Sequence, residues 1–568
     1  MNQTIRKKLD RITDILWAGG VTNPVTYIEQ ISYLIYLKLL DEAENERELQ
    51  SKLVSGNGKR LFPGQSERYR WSKWRFTSGE KLRNFLRDEV FPYMATGLLK
   101  DEPQIAEYFR DAVLEIVDPN VLKQVIDEID AINFRKLGPD EKGDIFEYLL
   151  THLGQSALNG QFRTPRQIRS MMVELVDPDF GDTIYDPACG TGGFLIDSLE
   201  YILAKYSEKP KEIPIYGEEW LLQKYLVKKN GNGKKKTENG EEIEIPETYF
   251  DEVKKEIPNL QTYRKGNGDK IPNWELLEGS LYGIDVSRQM MRIATMNMVL
   301  HGVPKSNIKR ANALSDLGGL SDEDLKRKYK VILSNPPFAG VLPQDSIRKD
   351  LPTNSKKSEL LFLGVMMEAL APGGRCAVVV PEGLLFGSSG AHIELRRKLV
   401  EEFDLLAVIS LPAGVFKPYA GVKTGALIFR KPKGEMKKTS NKKIWFYEIK
   451  NDGFDPDKIT GGGRPETPEQ NDIPNLISEW RKFKATDFSE PPGIEANSIL
   501  PAGSAESKCW WVTQDSIVES EYNLASGRYK PQIAESISTG DPVELIKEAL
   551  KLENEISNKL EQLLKDIS

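Results

Sequence analysis

The chain has 568 residues, of which 39% are hydrophobic and 29% are charged, and its formal net charge is −7. This composition is typical of globular proteins, and the length exceeds what one hydrophobic core supports, so we expect two or three domains. A protein that holds nucleic acid by itself through phosphate contacts is usually basic. The acidic net charge therefore excludes a protein with a strongly basic nucleic-acid-binding surface overall. Any nucleic-acid binding would use a local surface or depend on a partner protein.

Three cysteines and three histidines lie scattered along the chain, with no Cys-x-x-Cys motif and no pair at the spacing of metal ligands on a helix. We therefore expect no metal site, and so few cysteines fit a reducing compartment. The N-terminal segment carries charges throughout, unlike a signal peptide, and no apolar run approaches the length of a membrane span. These features predict a cytoplasmic protein that does not act at a membrane.

Helical spacing dominates residues 1–155, which we interpret as a helical N-terminal domain. Within it, residues 55–78 are rich in Gly, Arg, Lys and Trp. A solvated loop is the expectation for this stretch, and a loop that touches phosphate is the alternative. The apolar positions that carry the helical spacing include Leu9, Ile12, Leu16, Ile28, Ile31, Leu34 and Ile35.

Short apolar runs alternate with helical patterns between residues 156 and 475, which predicts an α/β domain with a mostly parallel, helix-covered sheet. A polar stretch of about 207–277 interrupts the alternation and indicates an insertion. A run rich in Gly, Pro and Glu around 460–475 marks the end of this domain. The predicted strands cover residues 183–185, 281–284, 330–333, 375–380, 405–411 and 424–429.

Residues 476–568 form a C-terminal region that ends in a predicted helix. Asp541 can cap this helix, Pro542 suits its first turn, and Glu544 lies three residues after the cap. The helix carries a long apolar stripe, which docks either on the chain's own body or on another subunit. The sequence leaves both open. The stripe consists of Ala549, Leu552, Ile556, Leu560, Leu563 and Ile567.

A buried strand, a Gly-rich turn and a helix start are predicted around Asp186. Gly190 and Gly192, with Thr191 between them, leave room for a ligand against backbone N–H groups. Asp186 is followed by no Gly-Lys-Ser/Thr, which argues against a phosphate-binding loop, and its carboxylate suits an amino-acid ammonium. Asp285 ends a later strand, where it can bind ribose hydroxyls. The alternative for Asp285 is a helix-capping residue.

Another predicted strand stops at two prolines and places Asn335-Pro336-Pro337-Phe338 at the carboxyl edge of the sheet, where open α/β sheets bind substrates. The Asn335 oxygen and the Pro336 carbonyl can hold the two N–H groups of an aromatic amine such as that of adenine, and so favour the pyramidal nitrogen that attacks a sulfonium methyl. Phe338 can stack on a base that has left the duplex. The alternative is a plain strand-ending turn. Because a Gly-rich turn and an acidic strand end precede the tetrapeptide in order, we favour the functional interpretation over the plain turn. The predicted mechanism is direct methyl transfer without a covalent enzyme intermediate.

Together these motifs resemble the amino-methylating DNA methyltransferases, and more closely the modification (M) subunits of type I restriction-modification systems. The resemblance covers nearly the whole chain, and the motif order is that of the gamma class of adenine-N6 enzymes. It implies a Rossmann-like S-adenosylmethionine-dependent methyltransferase sheet, with residues 335–338 as the catalytic motif and S-adenosylmethionine as the cofactor. It also implies an N-terminal cofactor motif, in which Arg163 stands where relatives often carry an aromatic residue. The further cofactor contacts are Gln161, Phe162, Arg163, Thr164, Pro165, Arg166 and Asn312.

The same resemblance implies partners. A separate specificity (S) subunit reads a split sequence in double-stranded DNA, a second M subunit joins the first on it, and a restriction (R) subunit can bind in addition. The acidic net charge and the apolar C-terminal stripe agree with such an assembly. The sequence contains neither a helicase P-loop nor a nuclease cluster, so DNA cleavage would reside in another chain.

Other functions remain open at this point. One is a stand-alone DNA adenine methyltransferase with its own recognition surface in the insertion or the tail. Another is an RNA- or protein-amide methyltransferase, because Asn-Pro-Pro-aromatic sequences also serve RNA bases and glutamine side-chain amides. The most distant is a binding scaffold that has lost catalysis. The large helical N-terminal domain and the terminal helix favour a DNA-modifying assembly.

Overall fold

A computed structural model describes most of the chain. No helix within the described ranges is both long enough and apolar enough to cross a membrane. The described residues form a helical N-terminal domain, a large mixed sheet covered by helices, and a long C-terminal helix. They are residues 3–53, 60–98, 100, 102–134, 145–146, 148–150, 164–207, 235–236, 242–243, 263–264, 270–271, 277, 279–303, 307–338, 340–417, 421–434, 442–455, 458, 464–501, 504–534 and 542–567.

The predicted helical N-terminal domain is confirmed. All seven apolar positions that carry the helical spacing are fully buried in one core. Asp118 caps a helix of this domain by accepting a hydrogen bond from the backbone N–H of Asn120 at 2.7 Å. The α-helices are α1 Gln3–Ala18, α2 Pro24–Leu53, α3 Trp71–Trp74, α4 Gly79–Phe85, α5 Pro103–Phe109 and α6 Pro119–Asp130, with a 3₁₀-helix at Gly64–Tyr69 and π-helical turns at Leu86–Val90 and Tyr93–Gly97.

The expectation of a solvated loop over residues 55–78 is wrong for the part that the structure describes, residues 60–78. Trp71 and Trp74 are buried there, and the Trp71 indole nitrogen donates to the Asp130 carboxylate at 2.8 Å. Arg70 forms a buried ion pair with Asp41 at 2.7 Å. The basic residues of this stretch therefore help to fix the domain. Further ion pairs join Arg60 to Glu44, Arg68 to Glu89, Lys73 to Glu67 and Arg75 to Asp130.

The predicted sheet is also confirmed, and it has ten strands in one mixed sheet. Each predicted run lies within or overlaps a strand. The edge strands were not predicted, because they are short or carry polar residues. The strands are β1 Ile184–Asp186, β2 Leu281–Asp285, β3 Asn307–Arg310, β4 Tyr329–Ser334, β5 Leu370–Pro381, β6 Asp404–Ser410, β7 Thr424–Arg430, β8 Lys443–Glu448, β9 Ile494–Glu495 and β10 Cys509–Thr513.

The strands are arranged in the order 3-2-1-4-5-7-6-8-10-9. β7 runs antiparallel to both of its neighbours and β10 runs antiparallel to β8, while the remaining pairs are parallel. The order reverses between β1 and β4. Ligands bind at such a reversal in open α/β sheets, outside the carboxyl ends of the strands.

Helices cover both faces of the sheet. Successive residues of a central strand point to opposite faces, and because apolar side chains lie on both, each face needs a layer of helices. In β4, Val331 and Leu333 join the core on one face and Ile332 joins the core on the other. The helices of this part are α7 Arg166–Val176, α8 Gly193–Ser207, α9 Arg288–Leu300, α10 Asp322–Lys326, α11 Ser358–Ala369, α12 Glu382–Phe386, α13 Gly390–Glu401, α14 Ile473–Ala485 and α15 Gln514–Glu519.

The insertion at about 207–277 stays apart from the large sheet wherever the structure describes its strands. Lys235–Lys236 pairs with Glu242–Ile243, and Tyr263–Arg264 pairs with Lys270–Ile271, each as a separate two-stranded piece. The large sheet continues past residue 475, where the sequence predicts the end of the domain, because β9 and β10 belong to it. Two small sheets accompany it, formed by Asp452–Phe454 with Glu466–Asn471 and by Ile499–Leu500 with Gln532–Ile533.

The predicted C-terminal helix is present as α16, Pro542–Ile567. Its expected cap, Asp541, lies outside the described residues. Leu552, Ile556 and Leu560 of the apolar stripe are each more than half exposed, so this part of the stripe does not pack on the described body of the chain. The structure therefore does not support docking of this stripe on the chain's own body, which was one of the two alternatives; the other is docking on another subunit.

Candidate active site

The Gly-rich turn connects β1 to α8 and leaves open space beside its backbone. Gly190 and Gly192 have φ angles of 52° and 79°, a region in which a residue with a Cβ atom is strained. A Cβ atom added to Gly190 would meet no atom of the described residues within 4 Å, its two chain neighbours aside. Thr191 lies between the two glycines, and its carbonyl accepts a hydrogen bond from the Asn297 side-chain amide at 3.0 Å. The turn can therefore receive a ligand against its backbone.

Asp186 ends β1 as a buried carboxylate. It accepts hydrogen bonds from the Ser334 hydroxyl at 2.7 Å and from the backbone N–H of Ala188 at 3.0 Å. Burial and, to a smaller extent, the nearby charge of Asp285 raise the pKa of Asp186 to about 7 against the opposing effect of the two hydrogen bonds. In the described part of the chain no cationic side chain pairs with Asp186. Such a carboxylate fits a positively charged ligand group.

Asp285 ends β2, the strand next to β1, and links its own strand end to the Gly-rich turn. One carboxylate oxygen accepts from the Gly190 N–H at 3.1 Å and the other from the Ser287 N–H at 2.7 Å. Burial raises the pKa of Asp285, and these two hydrogen bonds oppose the rise. The cap of α9 is Ser287, whose hydroxyl accepts from the Met290 N–H at 3.3 Å. Asp285 is therefore not the capping residue, and the helix-cap alternative is wrong.

Asn335 follows β4 at the carboxyl edge of the sheet. Its side-chain nitrogen donates to the Thr164 hydroxyl at 3.0 Å. Its side-chain oxygen is buried and accepts no hydrogen bond from any residue that the structure describes. A buried acceptor without a donor is costly unless a ligand supplies one. The Asn335 amide is thus held at its nitrogen, and its oxygen can accept a hydrogen bond from a ligand.

The rest of the tetrapeptide is fixed by packing and by a serine from α11. Pro336 is buried and Pro337 is exposed, while Phe338 is half-buried and packs against the core on one face of the sheet. Ser358 donates its hydroxyl to the Pro337 carbonyl at 3.2 Å and accepts from the Gly340 N–H at 2.9 Å. The backbone on either side of Phe338 is therefore held against the start of α11.

The N-terminal motif is described from Thr164 onward, and Gln161, Phe162 and Arg163 lie outside the described residues. Thr164 is buried, and its carbonyl accepts from the Arg169 guanidinium at 2.9 Å. Arg169 in turn forms a buried ion pair with Asp197 of α8 at 2.9 Å. Two further motif residues, Pro165 and Arg166, begin α7, and the Arg166 side chain is 58% exposed. The motif and the Gly-rich turn are thereby joined through α8.

Asn312 follows β3, one strand beyond Asp285. Its side-chain oxygen accepts from the backbone N–H of Leu314 at 3.0 Å, which closes a local turn. The preceding residue, Ala311, donates its N–H to the Asp285 carbonyl at 3.0 Å. The structure thus brings Asn312 to the same edge of the sheet as Asp285, with its side-chain oxygen already engaged.

Several buried polar residues around the site were not predicted from the sequence. Ser334 precedes the tetrapeptide directly, and a hydroxyl in an otherwise apolar strand is a feature that could have indicated it. Arg169, Asp197 and Asn297 lie on helices, where polar residues usually face solvent. Nothing in their local sequence distinguishes them from surface residues.

Comparisons with known proteins agree with this geometry. The family model described as N-6 DNA Methylase matches residues 138–251 and 269–537. The model described as HsdM N-terminal domain matches residues 5–129, which covers most of the helical domain. Both matches lie where the fold has the corresponding units.

Individual relatives give the same result. The type I restriction enzyme EcoEI methylase subunit of Escherichia coli is 28% identical over 97% of this chain and 94% of that protein. The HindI methylase subunit of Haemophilus influenzae is 35% identical over 69% of this chain and 68% of that protein. A chain from a solved structure on complex assembly of the type I R-M system has a TM-score of 0.65 and 26% identity, covering 99% of this chain and 98% of that chain. The chain therefore belongs to the N-6 DNA methylase family and, within it, to the methylase subunits of type I restriction enzymes.

Proposed function

We propose that this chain transfers a methyl group from S-adenosylmethionine to the N6 amine of adenine in double-stranded DNA, as the methylase subunit of an assembly that contains a specificity subunit. Membership of the N-6 DNA methylase family supports the reaction. The observation that carries the proposal at the site is the buried Asn335 side-chain oxygen, which has no donor among the described residues.

The role of Asn335 follows from its two contacts. Thr164 accepts a hydrogen bond from the Asn335 amide nitrogen, which fixes the orientation of the amide and directs its oxygen to a substrate. Adenine N6 is a weak nucleophile, because its lone pair is delocalised into the ring. If Asn335 Oδ1 and the Pro336 carbonyl accept its two N–H groups, the nitrogen becomes more pyramidal and more nucleophilic. Asn335 and Pro336 thus activate the amine, and Pro337 fixes the turn that presents them.

Phe338 has the position of a stacking platform. It is half-buried, packs against the core on one face of the sheet, and directly follows the residues proposed to bind the substrate amine. A base must leave the duplex before its amine can reach the Asn335 oxygen, and stacking on an aromatic side chain offsets part of the cost of unstacking.

The residues around the Gly-rich turn fit S-adenosylmethionine. We propose that Asp186 holds its ammonium group, that Asp285 holds the ribose hydroxyls, and that Gly190, Thr191 and Gly192 present backbone groups to it. The chemistry that S-adenosylmethionine supplies when bound is an activated methyl group, carried on a sulfonium sulfur that leaves as a neutral thioether. The open space at Gly190 and the unpaired carboxylate of Asp186 support this fit. Further contacts are proposed for Gln161, Phe162, Arg163, Thr164, Pro165, Arg166 and Asn312.

The partners follow from the acidic chain and its exposed helix. We propose that the exposed apolar side chains of α16 bind the specificity subunit, and that a second methylase subunit binds the same specificity subunit. A surface of this kind is costly to leave in water and usually marks an interaction site. With a net charge of −7, the chain depends on a partner for most of its grip on DNA.

The decisive experiment compares the purified chain alone with the chain reconstituted with its specificity subunit. Transfer of a labelled methyl group to cognate DNA is measured, and the product nucleoside is identified. We expect N6-methyladenine only from the reconstituted assembly. Sequence-specific methylation by the chain alone would support a stand-alone enzyme instead. Label in RNA or in protein, with none in DNA, would overturn the proposed substrate.

A further inference from the structure

Helix α9 belongs to two hydrophobic cores at once. Met291 and Ala294 pack in the core on one face of the sheet, whereas Ile293 and Met296 pack in the core of the N-terminal domain. The helix begins directly after the strand end that carries Asp285. It is therefore in contact with the proposed cofactor site and with the N-terminal domain through opposite sides.

One side of α9 holds the Gly-rich turn. Asn297 is 5% exposed, and its side-chain nitrogen donates to the Thr191 carbonyl at 3.0 Å. The Asn297 side-chain oxygen has no hydrogen-bond partner in the described structure, so the contact with Thr191 is the polar interaction that fixes this amide. A Cβ atom on Gly192 would lie 3.5 Å from the Cβ atom of Ala294, so the turn lies directly against the helix.

The other side of α9 is tied to the N-terminal domain by Arg292. Its guanidinium donates to Glu29 Oε1 at 2.5 Å, to the Tyr108 carbonyl at 3.1 Å and to the Arg110 carbonyl. Arg292 and Glu29 are 6% and 5% exposed, and Glu29 also accepts from the Tyr33 hydroxyl at 2.9 Å. If one partner of such a buried pair is removed, the other is left as an uncompensated charge.

We propose that Arg292 and Asn297 are positioning residues that make the geometry of the Gly-rich turn depend on the docking of the N-terminal domain. The inference rests on the proposed cofactor site, because the turn matters through the ligand it receives. Arg292 fixes α9 against the N-terminal domain, and Asn297 fixes the turn against α9. By thermodynamic linkage, S-adenosylmethionine that binds the ordered turn also favours the docked domain by the same factor.

The test uses the full-length chain with Glu29→Gln and, separately, Asn297→Leu. Hydrogen exchange of the Gly190, Thr191 and Gly192 amides is measured in the cofactor-free protein, and the affinity for S-adenosylmethionine is measured by calorimetry. Asn297→Leu removes a buried hydrogen bond, and Glu29→Gln removes the charge that compensates the buried Arg292. Either loss changes a local equilibrium by about tenfold, so we expect about tenfold faster exchange of these amides and about tenfold weaker binding in both variants.

Each variant has a matched control. Asp41→Asn breaks the equally buried Arg70–Asp41 pair inside the N-terminal domain, and Thr295→Val removes a hydroxyl on α9 that donates to the Met291 carbonyl at 2.9 Å. Neither touches the turn, so both should leave its exchange and the affinity as in the wild type. All variants are compared below their melting temperatures. If Glu29→Gln fails to fold, Asn297→Leu still tests the contact with the turn.

The outcomes separate the inference from the proposed function. Unchanged exchange of the turn in Glu29→Gln, unchanged exchange in Asn297→Leu, or equal acceleration in the controls would overturn the coupling. A wild-type chain that binds no S-adenosylmethionine would instead contradict the proposed function, whereas the exchange measurement would still report whether the domain and the turn are linked.

Discussion

Ser334 donates its hydroxyl hydrogen to the Asp186 carboxylate at 2.7 Å, and this bond joins the strand that carries the Gly-rich turn to the strand that ends at the proposed catalytic tetrapeptide. The next residue, Asn335, donates to Thr164 at 3.0 Å. Three segments that are far apart in the sequence therefore meet at one edge of the sheet. The proposed cofactor and substrate residues are positioned by the same short chain of hydrogen bonds.

The first prediction concerns pH. Burial raises the pKa of Asp186 to about 7, so a large part of the cofactor-free protein carries this group protonated at neutral pH. An ammonium group binds the carboxylate and not the acid. We therefore expect the affinity for S-adenosylmethionine to rise as the pH increases through about 7, up to the pH at which the ammonium group of the ligand loses its own proton. Calorimetry across this range measures it.

Two variants check this assignment. Ser334→Ala removes a hydrogen bond that lowers the pKa of Asp186, so the midpoint of the affinity curve should move to higher pH. Asp186→Asn should bind weakly at every pH. Because the folded pKa lies above the unfolded value, the contribution of Asp186 to stability is present at acid pH and is lost as the pH rises through about 7. An affinity in the wild type that does not change with pH would rule out Asp186 as the ammonium-binding residue.

The second prediction contrasts two glycines of the same turn. An added Cβ atom on Gly190 meets only open space, so Gly190→Ala should cost about 1 kcal/mol of stability through its left-handed φ but should abolish most cofactor binding. On Gly193 the atom would lie 2.9 Å from Arg169 Nε, and Arg169 is held by Asp197. Gly193→Ala should therefore cost more stability, about 1–3 kcal/mol.

Urea unfolding and calorimetry on the two alanine variants measure both quantities. Compared with Gly193→Ala, Gly190→Ala should lose less stability. Its loss of affinity for S-adenosylmethionine should be large for so small a loss of stability. If Gly190→Ala bound S-adenosylmethionine as well as the wild type, the open space beside this glycine would not be the cofactor site.

The third prediction concerns the exposed helix α16. Replacing Leu552 and Ile556 by Glu removes two apolar contacts worth about 1.5–3 kcal/mol each, so association with the specificity subunit should weaken by at least about 100-fold. Cofactor binding should not change, because Leu552 and Ile556 are exposed and do not pack on the described body of the chain. Glu553→Ala, a substitution at an exposed polar position of the same helix, serves as the control. Light scattering of the mixed subunits measures the assembly, and normal assembly of the double variant would exclude this surface.

The placement of the proposed site residues could be predicted from the sequence, because each one lies at the end of an apolar strand. Asp186, Asp285 and Asn335 end neighbouring strands, so the rule that parallel strands end at one edge was enough to bring them together. Asn335 was predicted without its partner, Thr164, because a contact between residues 171 positions apart depends on the tertiary fold.

The sequence was least informative where a polar residue is buried by a second domain. Charged residues such as Arg292 and Glu29 would be expected in solvent, yet both are buried where the N-terminal domain docks on α9. The basic stretch around Trp71 was misinterpreted for a related reason. Its charges are neutralised by carboxylates from other helices, and the two tryptophans fill the core. Local composition does not reveal such partners.

A control variant prepares the test of the central claim, that the Asn335 side chain activates the substrate amine. Thr164→Val removes the acceptor that orients the Asn335 amide but keeps the Asn335 oxygen. We expect it to methylate more slowly than the wild type and faster than a variant that lacks the oxygen. A rate equal to that of the wild type would show that the bond between Thr164 and Asn335 does not matter for the reaction.

The most direct test is the single-turnover rate of adenine methylation by the assembly that contains Asn335→Ala, with cofactor affinity measured on the same protein. Loss of one such preorganised group typically lowers the rate by about 10²–10³-fold. We predict a fall of at least this size with the affinity for S-adenosylmethionine nearly unchanged. Methylation of cognate DNA at the full wild-type rate would contradict the account.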